Sequence, residues 1–157
     1  MSKKKSWQEK LADSKDLPKV GAITGKMTKR WGSGTMVIPA PREVDALMKK
    51  VPRGKLVTIN VIRQALAKKH GTTIACPITT GIFAWIAAHA ACEAEAEGRS
   101  RITPYWRTLK SQGELNDKYP GGIEDLRKRL EAEGHTVLQK GKRVVVEGFE
   151  NCLVDLR

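Results

Sequence analysis

The chain has little from which a metal centre or a disulfide framework is made. Its three cysteines, Cys76, Cys92 and Cys152, lie far apart and form no Cys-x-x-Cys pair. An odd count without paired spacing suits reduced thiols in a reducing compartment. The three histidines, His70, His89 and His135, show no ligand spacing with one another or with the thiols, so no metal and no cofactor is expected. No apolar run approaches the roughly 20 residues needed to cross a bilayer. No hydrophobic leader follows the basic start Met1-Ser2-Lys3-Lys4-Lys5. The plain expectation is a cytoplasmic protein with no membrane partner.

Acid is scarce as well. Seventeen Asp and Glu stand against 29 Lys and Arg, leaving a formal charge of +12. On a small chain this surplus favours a polyanionic partner, most simply nucleic acid; the bland alternative is a basic, well-solvated surface. Residues 1–30 hold nine basic residues against Glu9, Asp13 and Asp16. Residues 98–110 hold Arg99, Arg101, Arg107 and Lys110 with no acid.

At 157 residues the chain fits one domain. Residues 1–35 read as a basic, partly flexible extension, with a short helix at 6–13 and a hinge at Trp31-Gly32-Ser33-Gly34. The domain proper is read as 36–157. From Arg42, the positions Val44, Leu47, Met48 and Val51 follow helical spacing. Thr58 caps a second helix with Ile59, Ile62 and Leu66 inward, and His70-Gly71 ends it. Pro77 opens the longest helical segment, about 78–97, which Gly98 closes. Residues 99–120 read as an irregular basic loop. A fourth helix follows Gly121-Gly122, with Ile123, Leu126 and Leu130 inward and Arg127, Lys128 and Arg129 outward. Residues 136–147 read as a β-hairpin turning at Lys140-Gly141-Lys142. The expected fold is therefore mainly α with a small C-terminal hairpin, containing a winged-helix-like helix-turn-helix.

Three segments then fall into a recognisable order. They are Gly54-Lys55-Leu56-Val57-Thr58-Ile59, Pro104-Tyr105-Trp106-Arg107, and Tyr119-Pro120-Gly121-Gly122 with the helix running to Glu133-Gly134. Over about residues 40–135 this order resembles the DNA-binding, active-site half of the alkylguanine-DNA alkyltransferase family. The resemblance implies a recognition helix lying in the minor groove of duplex DNA. It also implies a base rotated out of the stack toward a cysteine that a histidine and a glutamate activate.

Here Tyr105 occupies the cysteine's place and Trp106 the histidine's, while Glu133 keeps the glutamate's. A phenol is a poor neutral-pH nucleophile and an indole N–H relays no proton, so alkyl transfer is not expected. The chain is similar in principle to the alkyltransferase-like proteins, a subset of the family that also lacks the cysteine and binds alkylated guanine without repairing it. It differs in carrying the aromatic pair Tyr105-Trp106. By that resemblance, Pro104, Tyr105, Trp106, Tyr119 and Glu133 would form a lesion pocket. Thr58, Thr79, Thr80, Gly81, Trp85, Arg99, Arg101, Arg107 and Lys110 would contact DNA. Gly81 falls at or beside the family's intercalating arginine, and residues 78–97 carry no Lys or Arg.

The primary reading is a monomeric, non-catalytic sensor of alkylated guanine that binds double-stranded DNA and passes the lesion to a repair protein. A second is a helix-turn-helix module without a lesion pocket. A third is an enzyme with different chemistry in the same cleft, for example a Tyr105–Glu133 proton-transfer pair.

Overall fold

The computed structural model describes residues 5–156. Ser6 opens the first helix, α1 (Trp7–Ala12). Its hydroxyl accepts the Glu9 N–H while the Glu9 carboxylate accepts the Ser6 N–H. β1 (Lys19–Ala22), the short helix α2 (Met27–Trp31) and β2 (Thr35–Ile38) follow. α3 (Pro41–Lys49) starts on Pro41 and buries Val44 and Met48. After β3 (Val57–Thr58), the Thr58 side chain caps α4 (Ile59–His70) by accepting the Val61 N–H; the helix ends at Gly71, whose φ of 65° favours glycine. β4 (Ile74–Ala75) leads through Cys76 into α5 (Pro77–Ala96).

α5 is packed through small residues. It buries Ala84, Ala87, Ala88, Ala90, Ala91 and Ala94, which let α3 and α1 lie close against it. A 3-10 turn at Tyr105–Arg107 precedes β5 (Thr108–Leu109); then come α6 (Gly122–Ala132), β6 (Val137–Lys140) and β7 (Arg143–Val146). Three small sheets tie these elements together. β1 pairs antiparallel with β2, and β2 pairs parallel with β4. β3 pairs parallel with β5, setting Val57 opposite Thr108. β6 and β7 pair antiparallel. The core runs through Val44, Met48, Leu56, Ile62, Leu66, Tyr105, Leu109, Leu126 and Leu130. Each large aliphatic side chain contributes about 1.5–3 kcal/mol by leaving water.

Two expectations meet a different arrangement. The boundary read at residue 35 falls at the start of β2 and separates nothing, because β1 and β2 share a sheet with β4 and α1 packs on α5. The segment 99–120 is also less irregular than read, since it holds the 3-10 turn and β5.

Candidate nucleic-acid interface

The β3–β5 pairing carries the segment after Pro104 past the start of α4 and the end of α6. There Glu133 gathers three donors. The Trp106 indole N–H donates at 2.8 Å, and Arg107 Nε and Nη2 donate at 2.9 Å and 2.8 Å. The Gly54 N–H adds a bond of 3.3 Å. Arg107 also donates through Nη1 to the Val51 carbonyl at 2.7 Å. The pair is well enclosed, with 13% of the Arg107 side chain and 3% of the Glu133 side chain exposed. Burial pushes the Glu133 carboxyl up, but the bonds from Arg107 and Trp106 overcome it and hold the group below its ordinary range. Trp106 thus keeps the hydrogen bond to the glutamate while supplying no proton relay. Arg107, read above as a DNA contact, is committed to this interior network.

Tyr105 is fully buried. Its ring meets Trp106 edge-on at 5.3 Å and Tyr119 at 6.2 Å, and the Arg129 guanidinium lies 5.5 Å from its centroid. Its hydroxyl finds no hydrogen-bond partner among the described residues, and burial pushes its pKa up to about 12. A ring with no exposed surface does not stack on a base, so Tyr105 fills the site instead of lining an opening. Pro104 and Tyr119 are buried beside it. The Tyr105–Glu133 proton pair does not form, because the glutamate's oxygens are bonded to Trp106, Arg107 and Gly54 instead.

Sequence reasoning missed Arg129, which was read as outward-facing. It pairs with Glu95 at 2.6 Å and with Asp125 at 2.9 Å, and its guanidinium lies 4.8 Å from the Trp106 ring. The bond to Glu95 holds it more firmly protonated than a free guanidinium. The available signal was Asp125 four residues earlier, the helical i, i+4 spacing.

The residues assigned to DNA contact are scattered in role. Thr58 is buried at its cap, and Thr80 is buried and donates to the Cys76 carbonyl at 2.6 Å. Thr79 is half-buried with an unpartnered hydroxyl. Lys110 pairs loosely with Glu114, 3.6 Å away. Arg99 and Arg101 are exposed. Gly81 and Trp85, in contrast, are brought together. With Ile78, Ile82, Asn116 and Lys118 they line a cleft of about 430 Å³ between the first half of α5 and the loop before Tyr119. Ile78 and Ile82 are 55% and 46% exposed, which is unusual for large aliphatic side chains. The Trp85 indole donates to the Lys118 carbonyl at 3.1 Å, holding the ring as a fixed wall.

α1 docks on the second half of α5. Trp7 of α1 stacks on His89 at 4.3 Å and meets Trp85 edge-on at 4.8 Å. Glu93 accepts the Trp7 and Gln8 N–H groups at the open end of α1. No cluster of three or more His, Cys, Asp or Glu residues among the described ones is placed to hold a metal.

No protein-family model and no curated protein matches the chain. Among solved structures, it is similar to the S. pombe alkyltransferase-like protein in complex with DNA, at 20% identity and a TM-score of 0.52, with 73% of this chain and 93% of that one covered. It is also similar to S. pombe Atl1 in complex with damaged DNA containing O6-carboxymethylguanine, at 18% identity and a TM-score of 0.48 over the same shares. The fold is the alkyltransferase-like fold. Within it, Tyr105 is a buried phenol, and α5 exposes Ile78 and Ile82.

Proposed function

We propose that this chain is a non-catalytic DNA-binding protein that presents the first half of α5 to duplex DNA, with α4 and α5 acting as its helix-turn-helix. The cleft beside Ile78, Gly81, Ile82 and Trp85 receives a base rotated out of the stack. One observation carries the reading. This half of α5 leaves two isoleucines in water beside a cleft of ligand size, whereas α1 docks on the other half. The cleft's apolar walls suit an alkyl substituent on guanine, and Asn116 and Lys118 supply polar groups at its edge. Rotating a base costs a few kcal/mol, which stacking against Trp85 offsets at about 1–3 kcal/mol. The +12 charge supplies the sequence-independent attraction.

Absence of chemistry follows from Tyr105. A phenol with a pKa of about 12 and no base hydrogen-bonded to it among the described residues does not attack an alkyl group at neutral pH. Incubation with O6-benzylguanine is expected to leave the protein's mass unchanged. A second reading, that α5 grips DNA without extracting a base, is favoured by the burial of Tyr105 in the family's pocket position.

Fluorescence titration against matched duplexes with and without O6-alkylguanine separates the two. Tighter binding of the alkylated duplex, lost in Trp85→Ala, supports base capture. Equal binding supports the second reading, and no binding to either duplex rejects both.

A further inference from the structure

The segment β1–α2–β2 is used by nothing described so far. We infer that it is a basic wing that grips the phosphates of duplex DNA beside the groove entered by α5. This rests on the proposed DNA-binding role of α5 and extends it to a second, separate contact.

Three observations carry the inference. Lys26, Lys29 and Arg30 lie on or next to the single turn α2 and are all exposed. None of them forms an ion pair among the described residues, and no acid occurs anywhere from Leu17 to Arg42. Elsewhere cations are often neutralised nearby, as Lys110 is by Glu114 and Arg107 by Glu133. Three uncompensated cations on one exposed turn, with Met27 part-exposed among them, match a run of phosphates.

The wing is also fixed in place. Thr35 and Thr73 are clamped: Thr35 N–H donates to Thr73 Oγ1 at 3.0 Å, and Thr73 N–H donates to the Thr35 carbonyl at 3.0 Å. Gly34 makes the approach possible. A Cβ there would come within 2.3 Å of Thr73 Oγ1, and its φ of 128° disfavours any side chain.

Thr73 lies in the turn that joins α4 to α5, four residues before Pro77. At about 3.3 Å per residue, the clamp is at most about 13 Å from the first residue of α5. That is about the roughly 12 Å width of the major groove and about twice the roughly 6 Å width of the minor groove. The clamp thus ties the strand that follows α2 to the turn that leads into α5, and the inferred wing lies over phosphates beside the groove that α5 enters.

The test uses the full chain with Lys26→Ala, Lys29→Ala and Arg30→Ala combined. All three side chains are exposed, so thermal unfolding is expected to be unchanged, and this is measured first. Affinity for a plain duplex is then followed from 50 to 200 mM salt. Each lost phosphate contact flattens the slope of log K against log salt by about 0.9, so the triple variant is expected to lose about 2–3 units of slope. It should bind every sequence at least tenfold more weakly at 0.1 M salt, while keeping the wild-type ratio between alkylated and plain duplexes. In a second readout, DNA should protect Lys26 and Lys29 of the wild type from amine acetylation. A folded triple variant with wild-type slope, or acetylation unaffected by bound DNA, overturns the wing alone. A wild type that binds no duplex overturns both the wing and the role of α5.

Discussion

At the residue scale, the site is a glutamate bonded to Trp106, Arg107 and Gly54, beside the buried ring of Tyr105. Glu133→Gln removes the countercharge of an enclosed guanidinium, and breaking a buried pair on one side costs about 3–5 kcal/mol. Urea unfolding should report a loss of that size. The pH dependence has a definite sign. The carboxyl's folded pKa lies below its ordinary 4.5, so its stabilisation is complete above that value and is lost as pH falls through the folded pKa. The variant's stability should change less than the wild type's across this acidic range. Tyr105 gives a cleaner pair of changes. Tyr105→Phe removes a buried hydroxyl that has no partner, so stability should hold or rise. Tyr105→Ala should cost about 3–5 kcal/mol, as large-to-small core truncations do, and the midpoint of chemical denaturation distinguishes the two. The order Tyr105-Trp106-Arg107 and the distant Glu133 were legible because both lie in a fixed sequence order. That they bond to one another was not, since an indole and an imidazole share a donor but no sequence signature.

At the element scale, α3, α4, α5 and α6 were legible from apolar spacing and from the punctuation at Thr58, Gly71 and Pro77. β1 and β2 were not. The strand Lys19–Ala22 is exposed at every position, so it carries no buried face, and it pairs antiparallel with β2. The role of α5 was half legible. Its lack of cations was plain, but nothing in the sequence showed that its second half would be closed. Gly81 offers a direct test. A Cβ at that position meets nothing within 4 Å, and an interior helical glycine costs about 1 kcal/mol relative to better helix formers. Gly81→Arg should therefore raise the melting temperature slightly. It should also tighten duplex binding by placing a cation on the surface that lacks one. Weaker binding by a stable Gly81→Arg protein would place the DNA on another face.

At the scale of the whole molecule, the N-terminal segment is structural as well as basic. α1 closes over α5 through Trp7, His89 and Glu93, with Lys10 lying 4.3 Å over the Trp7 ring. Burial holds the His89 imidazole below its ordinary 6.5, against a raising contribution from the Lys118 backbone. A lowered histidine pKa means that the stability of this docking is full above about 6.5 and is lost as pH falls through the folded value. Tryptophan emission should shift over that acidic range in the wild type, and the shift should be absent in His89→Gln. A wild-type spectrum that stays flat to pH 5 would show that α1 holds without a neutral His89.

The docking of α1 on α5 also limits how much sequence the proposed DNA-binding surface would read. The stretch from Pro77 to Trp85, ahead of the part of α5 on which α1 docks, is about 13 Å of helix at 1.5 Å per residue, or roughly four base steps at 3.4 Å each. A four-letter word recurs about once every 256 base pairs in random sequence, far too often against the ~10⁶–10⁹ competing sites of a genome to address a single locus. A reader with so narrow a window, held to the duplex mainly by charge, is suited to patrol. It would inspect every stretch of DNA briefly and stay where a base leaves the stack easily.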